Sequence, residues 1–99
     1  MADLVVVYWR DIPAQVKAGS GRMTVRRELS PRFAEAIDMA AMRSGARDSD
    51  TYLAEWRTGE PQNVEGDLTE AVQAMIAAIE SAWDEQRIAA AIDNGGRNG

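Results

Sequence analysis

The side chains of this chain that could act as a general acid or base are carboxylates, two tyrosines and one lysine, because its 99 residues include no histidine and no cysteine. That composition excludes a Ser-His-Asp triad, a cysteine nucleophile, a thiolate zinc site, and haem or iron–sulfur centres held by those residues. The acid–base candidates that remain are Asp, Glu, Tyr and Lys17. We therefore predict no catalytic residue, no cofactor and no metal site, and an enzyme is the least favoured class of function.

Three acidic residues, Asp48, Asp50 and Glu55, lie close together in the chain. A calcium loop of the EF-hand type needs oxygen ligands at alternate positions and a closing Glu at the twelfth, and this spacing is absent. Asp48 and Asp50 instead precede a short apolar helical pattern, where a carboxylate stabilises the first turn. We interpret them as helix-capping residues.

The most distinctive tetrapeptide is Tyr8-Trp9-Arg10-Asp11, which follows an apolar run. Arginine and large aromatic residues dominate the energetics of protein interfaces. One hypothesis is a partner-binding patch, whose residues are Tyr8, Trp9, Arg10, Asp11, Asp50, Tyr52 and Trp56. The alternative is that one aromatic ring enters the core while Arg10 and Asp11 form local pairs.

Ten of the eleven basic residues are arginines, which bind carboxylate or phosphate through planar, bidentate contacts. Arg10, Arg27 and Arg43 are the candidate contacts if the protein binds an anion. The charges are divided: residues 1–47 carry a net +3 and residues 48–99 a net −8, which together give −5. Because the chain is acidic overall, nucleic acid is not expected as a partner.

The first thirty residues have the pattern of three β-strands. Residues 4–9 (Leu4 to Trp9) are almost all β-branched or aromatic, which is typical of a strand covered on both faces. Pro13 ends this run. Apolar and polar residues then alternate on either side of Gly19-Ser20-Gly21, which predicts a β-hairpin that ends near Leu29.

Three helices are predicted in the rest of the chain, at about residues 31–44, 49–57 and 67–93. Ser30 and Pro31 are typical of a helix start, and Gly45 of a helix end. The apolar stripe of the third helix changes phase after Trp83, so we expect a kink or break near residues 84–86.

These elements together predict a single α+β domain over residues 1–99. Its small three-stranded antiparallel sheet, at about residues 4–29, is packed on one face by the three C-terminal helices. Residues 60–66 are expected to form a polar connector.

The strand of residues 4–9 poses a problem, because the first strand of a simple meander lies at an edge and this one is the most apolar of the three. A long apolar edge strand invites pairing with another chain. Either the helices and termini cover it, or it forms a homodimer interface through Leu4 to Trp9. No apolar run is long enough to span a membrane, and no basic signal segment follows Met1, so we expect no membrane contact and a cytoplasmic location.

Several motifs in the first half resemble, in order, a known family: the small bacterial "virulence factor" domains, related to a domain of the staphylococcal conserved virulence factor C. The resemblance covers roughly residues 4–57, and the motifs that carry it are Tyr8-Trp9-Arg10-Asp11-Ile12-Pro13-Ala14-Gln15-Val16, Arg27-Glu28-Leu29, Arg32-Phe33, Ala36-Ile37-Asp38, Ala41-Met42-Arg43, Ser49-Asp50, Tyr52-Leu53 and Trp56. It implies no established chemistry and no catalytic residues.

We expect a non-enzymatic accessory or protein-interaction domain, whose protein partner is unknown. The alternative is a small-molecule or anion-binding accessory protein of a corrinoid- or folate-dependent methyl-transfer system, which the resemblance suggests through gene neighbourhood. An exposed aromatic patch would favour the first, and a closed pocket with converging arginines the second.

Overall fold

A computed structural model describes residues 2–20, 22–46 and 48–97 of the chain. In these ranges the elements are, in order, β1 (Ala2–Trp9), β2 (Ile12–Ser20), β3 (Met23–Glu28), α1 (Pro31–Ser44), α2 (Ser49–Ala54), β4 (Trp56–Thr58), β5 (Gln62–Val64), α3 (Leu68–Ala82) and α4 (Glu85–Asp93). The predicted α+β class is confirmed. The predicted count is wrong in detail, since the described residues form five strands and four helices rather than three of each.

The position of β1 in the sheet differs from the predicted one. The strand order is β3-β2-β1-β4, and β5 also pairs with β1. All of these pairings are antiparallel: β2 covers one side of β1, while β4 and β5 pair with its C-terminal and N-terminal ends. The strand is therefore central, which explains its apolar sequence. Because both sides of β1 are paired, the edge-strand argument for a homodimer no longer applies.

Strands β4 and β5 occupy residues for which the sequence predicts other structure. The predicted helix of residues 49–57 ends at Ala54, and Trp56 pairs with Trp9 of β1 instead. The predicted connector of residues 60–66 contains β5. Both strands are three residues long, so their own sequence carries almost no periodic signal. Hydrogen bonding to β1 decides their conformation, since tertiary context overrides a weak local preference.

The core has two parts. Leu4 and Val6 of β1 alternate with exposed or half-exposed neighbours and lie, with Val16 and Ala18 of β2, against Val72 of α3. The second part surrounds the end of β1, and it includes Trp9, Ile12, Phe33, Ile37, Trp83 and Ile88. Helix α3 packs on β1, β2 and β3, whereas α1 packs on β2 and on α4. The sheet end near Trp9 is thus closed by helices.

The predicted break in the last helix is confirmed, and it falls between Ala82 and Glu85. Asp84 begins α4, because its carboxylate accepts a hydrogen bond from the backbone N–H of Arg87 at 2.8 Å. The end of α3 is held from another helix: the Arg32 guanidinium donates to the carbonyl oxygens of Trp83 at 2.7 Å and of Glu80 at 2.9 Å. These bonds satisfy carbonyls that a helix end leaves unpaired.

The predicted start and end of α1 are confirmed at Pro31 and Gly45, and Gly45 has the left-handed φ of +76°. Ser30 does not cap the helix with its side chain. Its hydroxyl donates to the Glu80 carboxylate at 2.9 Å. Among the described helices, none has the length and apolarity to cross a membrane.

Candidate partner-binding groove

The tetrapeptide that the sequence singles out is divided between the two faces of the sheet. Tyr8 and Trp9 are consecutive in β1, so their side chains point in opposite directions. Side chains of the paired strand β4 alternate in the same way, because Arg57 pairs with Tyr8 and Trp56 pairs with Trp9. A single patch of Tyr8, Trp9, Arg10 and Asp11 therefore does not form.

Trp9 is fully buried, with 0% of its surface exposed. Its ring centroid lies 5.8 Å from that of Tyr52, and its indole N–H donates to the backbone carbonyl of Tyr52 at 2.9 Å. Tyr52 in turn meets Trp56 edge to face, with centroids 5.9 Å apart and planes at 81°. Trp9 thus supports Tyr52 from inside, while the half-buried Tyr52 and Trp56 reach the surface.

Helix α2 holds Tyr52 in place. Asp48 begins this helix, as predicted, and its carboxylate accepts from the backbone N–H of Thr51 at 3.0 Å. This hydrogen bond lowers the pKa of Asp48. Asp50 lies exposed in the first turn of α2 and does not line the cavity beside Tyr52.

Tyr52 and Trp56 line a small cavity between α1 and the segment of α2 and β4. We call this cavity the aromatic groove; its volume is about 180 Å³, and its lining residues are Ala14, Glu28, Ala34, Ile37, Asp38, Tyr52 and Trp56. A neighbouring depression shares Asp38 and Tyr52 with it and extends along α1 to Met42. Met42 and Leu53 are 58% and 65% exposed. Tyr52, Trp56 and the exposed Met42 therefore give this part of the surface an aromatic and apolar character.

The electrostatics of the aromatic groove are set by carboxylates. Burial, and after it the negative charge of Asp38, raise the pKa of Tyr52, and a hydrogen bond with the Trp56 side chain offsets part of this rise. The phenol is therefore neutral at physiological pH. Glu28 and Asp38 are exposed carboxylates that line the same cavity.

Arg10 acts within the fold rather than at the groove. Its side chain is 12% exposed and forms an ion pair with Glu55 at 3.5 Å. One guanidinium nitrogen donates to the carbonyl oxygen of Gly95 at 2.7 Å, and the guanidinium lies 4.9 Å from the centroid of the Trp9 ring. Arg10 therefore connects the end of β1 to the turn of residues 94–96, which follows α4 and is called the C-terminal turn below.

Tyr8 and Asp11 line a second cavity of about 440 Å³. Arg57 lies over the Tyr8 ring at 4.5 Å and forms an ion pair with Asp11 at 3.3 Å. Arg87 lies over the Trp83 ring at 4.0 Å and donates to the carbonyl oxygen of Ala82 at 3.2 Å. The two arginines of this cavity are thus already engaged by rings, carbonyls and a carboxylate.

The three arginines proposed as anion contacts lie on separate elements and have separate partners. Arg27 is exposed on β3 and donates to the carbonyl oxygen of Arg26 at 2.9 Å. Arg43 is exposed on α1 and forms an ion pair with Asp93 at 3.4 Å. Arg10 is directed to the C-terminal turn. No cavity found in the described residues is lined by any two of the three.

Another depression, of about 620 Å³, lies between the end of β5 and the start of α3. Asp67 is its carboxylate nearest to α3, and it already caps that helix by accepting from the backbone N–H of Glu70 at 3.1 Å. No aromatic residue lines this depression. The depression therefore has a large volume, but its side chains do not form a convergent set that could recognise a ligand.

Sequence reasoning missed Glu28 and Asp38 as groove residues. For Asp38 a signal exists, because Ala34, Asp38 and Met42 recur every four residues and so lie on one side of α1. No comparable signal marks Glu28, which is the last residue of β3 and reaches the groove only through the pairing of β3 with β2.

Within the described residues, no group of three or more acidic side chains is placed to hold a metal ion. A protein-family model described as "Virulence factor" matches residues 7–92. The match includes every residue that lines the aromatic groove. Searches of curated proteins and of solved structures found no match.

Proposed function

The chain belongs to the virulence factor family, and from that premise we propose that it is a non-enzymatic accessory domain that binds a protein partner through the aromatic groove. The observation that carries this proposal is the half-buried pair of Tyr52 and Trp56, supported from inside by Trp9. Aromatic side chains held rigidly at a surface bring large contact area at a low entropic cost, which is why they are frequent at interface hot spots.

The surroundings of the groove support the same proposal. Met42, which lines the depression next to the groove, is 58% exposed, and Leu53, the neighbour of Tyr52 in the chain, is 65% exposed. Exposed apolar residues next to an aromatic pair are characteristic of a protein-binding surface. The rim carries Glu28 and Asp38, which would contribute selectivity rather than bulk affinity.

The size of the groove argues against binding of a whole small molecule. Small-molecule and cofactor sites usually enclose roughly 300–1,000 Å³. The aromatic groove has about 180 Å³. The methyl-transfer alternative also relies on converging arginines, and Arg10, Arg27 and Arg43 have separate partners. The protein-interaction function therefore has the better support.

We further propose that the protein acts in the cytoplasm. The chain has no cysteine, so its stability does not depend on disulfides that an oxidising compartment would form.

The experiment that tests the proposed function is site-specific photo-crosslinking in the native host. A photoreactive amino acid replaces Met42, which lines the depression next to the groove, or Leu53, the exposed neighbour of Tyr52 in the chain. In the control it replaces Met23 of β3, which is 66% exposed and does not line the groove. We expect the same partner protein to be crosslinked at positions 42 and 53 and not at position 23. Equal crosslinking at the three positions, or none at positions 42 and 53, would contradict the proposal.

A further inference from the structure

The aromatic rings of this protein fall into two groups. Four of the six carry an arginine guanidinium over the ring at 4.0–4.9 Å; the pairs are Arg10 on Trp9, Arg32 on Phe33, Arg57 on Tyr8, and Arg87 on Trp83. In the described part of the chain, no arginine or lysine lies over Tyr52 or Trp56. The two rings that line the aromatic groove are thus the two without an internal cation.

The rings of the groove are arranged to receive a cation. They meet edge to face, with planes at 81° and centroids 5.9 Å apart, and both line the cavity. A cation near the face of Trp or Tyr is attracted by the negative charge of the ring face. Because both rings line the same cavity, a cation bound in it would contact both.

The groove also carries negative charge that no described cation neutralises. Glu28 and Asp38 line it, whereas the ion pairs of the described residues use other carboxylates, those of Asp11, Glu55, Glu80 and Asp93. Two unpaired carboxylates next to two aromatic faces favour a cationic group over a neutral one.

The apolar residues that line the aromatic groove, together with its volume, indicate the shape of the cationic group. Ala14, Ala34 and Ile37 provide apolar contact for a hydrocarbon stem. Arginine and lysine bury such a stem while they present a charged end. A cavity of about 180 Å³ holds one such side chain.

We propose that the aromatic groove receives one arginine or lysine side chain from an exposed segment of a partner protein, between Tyr52 and Trp56 and beside Glu28 and Asp38. This inference rests on the proposed function, because it names the chemistry of the partner at the same site. The partner is a different, basic protein rather than a second copy of this chain. The net charge of −5 repels a second copy and attracts a basic protein.

The first experiment measures the binding of capped amino acids by NMR. The probes are the capped amides of arginine and lysine, and the control probe is the capped amide of citrulline, which has nearly the shape of arginine without its charge. We expect the arginine or lysine probe to shift the Trp56 indole N–H and the Tyr52 ring resonances. Citrulline should shift them much less. Equal shifts with citrulline would overturn the proposal, as would the absence of a shift with both cationic probes.

Two variants of α1 sharpen this test. Asp38→Asn removes a carboxylate of the groove, and Glu35→Gln removes an exposed carboxylate of the same helix that does not line it. Each changes the net charge equally. We expect Asp38→Asn to weaken binding of the cationic probe about two- to fivefold and Glu35→Gln to leave it unchanged. Equal weakening by both variants would mean that only the overall charge acts, which contradicts a specific site. The amide spectrum reports directly whether each variant is folded.

The same variants, combined with the crosslinking at Met42 and Leu53, separate the two proposals. If crosslinking to the partner persists equally in Asp38→Asn and Glu35→Gln, the proposed function stands and the basic-side-chain inference is wrong. If the probes bind as expected but no crosslink forms, the groove accepts a cation and the proposed function fails. A crosslink to a second copy of this chain would overturn the choice of a different protein as the partner.

Discussion

Gly96 lies against the indole ring of Trp9 so closely that a Cβ atom at position 96 would be 2.8 Å from Cζ3 of that ring. The carbonyl oxygen of Gly96 also accepts from the backbone N–H of Asp11 at 2.8 Å, and its N–H donates to the carbonyl oxygen of Ala91 at 2.7 Å. The C-terminal turn is thereby fixed over the end of β1. Because Trp9 supports Tyr52, this contact lies behind the aromatic groove.

Gly96→Ala should destabilise the protein strongly. Position 96 has a φ of +94°, and the added methyl group would overlap Trp9, so we expect the free energy of unfolding to fall by about 2–5 kcal/mol. The control is Gly66→Ala, at a φ of +84° with no atom within 4 Å of the added Cβ, where strain alone should cost about 1–2 kcal/mol. Urea unfolding measures both. Equal losses would show that the contact with Trp9 contributes nothing.

Arg10→Ala should reduce stability much more than Arg43→Ala. Arg10 is 12% exposed and bonds to Gly95 and Glu55, so its removal should cost about 2–4 kcal/mol. Arg43 and its partner Asp93 are both more than 60% exposed, and such a pair contributes about 0–1 kcal/mol. Thermal or urea unfolding of the two variants tests this difference. If Arg10→Ala lowers the free energy of unfolding no more than Arg43→Ala does, the structural role of Arg10 is contradicted.

The stability of the protein should fall in acid partly through Glu80. Burial alone would raise the pKa of Glu80, but hydrogen bonds from the backbone N–H of Ser30, from Arg32 and from the Ser30 hydroxyl outweigh it and lower the pKa below the ordinary 4.5. A lowered pKa in the folded state adds stability above pH 4.5, which is lost as the pH falls through the folded value.

Glu80→Gln should therefore be less stable than the wild type at neutral pH, and the difference should shrink as the pH falls below 4.5. Urea unfolding over a series of pH values measures it. Glu35→Gln, an exposed carboxylate on α1, is the matched control and should follow the wild-type curve. A constant difference between Glu80→Gln and the wild type at all pH values would contradict the role of ionised Glu80.

Asp38→Asn should lower the pKa of Tyr52. Burial is the larger cause of the raised pKa and the charge of Asp38 the second, so the variant should move the pKa toward the ordinary 10.0 without reaching it. The absorbance of the phenolate, followed in a Tyr8→Phe background that leaves Tyr52 as the only tyrosine, measures this shift. Glu35→Gln serves again as the control. An unchanged pKa in Asp38→Asn would place the Asp38 charge too far from Tyr52 to act on a bound cation.

The protein should sediment as a monomer at micromolar concentrations. Strand β1 is paired on both sides by β2, β4 and β5, so it has no free edge for a second copy. Sedimentation at several concentrations measures this directly. A concentration-dependent dimer would require another surface, and crosslinks at Met42 and Leu53 would then test whether that surface is the groove.

Much of the fold could be predicted because its long elements carry a clear local pattern. Strand β1, the hairpin of β2 and β3, and helix α1 from Pro31 to Gly45 follow from periodicity and from cap residues. The break after Trp83 follows from the change in phase of the apolar stripe. Strands β4 and β5 could not be predicted, since three residues give no periodicity and their conformation depends on β1.

The groove was predictable only in part. The residue types of Tyr52 and Trp56 indicate a binding role, whereas nothing in the local sequence places Glu28 of β3 at the same site. Asp38 shares one side of α1 with Ala34 and Met42, but only the fold brings that side to Tyr52. The sequence places Trp9 in the same patch, but it lies in the core behind Tyr52. Residue type indicated the aromatic character of the site and left its charged groups undetermined.

The sequence by itself excluded the active sites and metal sites that need histidine or cysteine, and it determined the α+β class. Both depend only on residue type and on neighbours along the chain. Only the tertiary structure decided that β1 is the central strand and which faces of the sheet the side chains of Tyr8 and Trp9 point to. The physical reason is register: the pairing of Trp56 with Trp9 sends Trp56 to the groove and Arg57 to the opposite face, and a shift of one residue would exchange them. That register is set by contacts between distant segments, which no local pattern encodes.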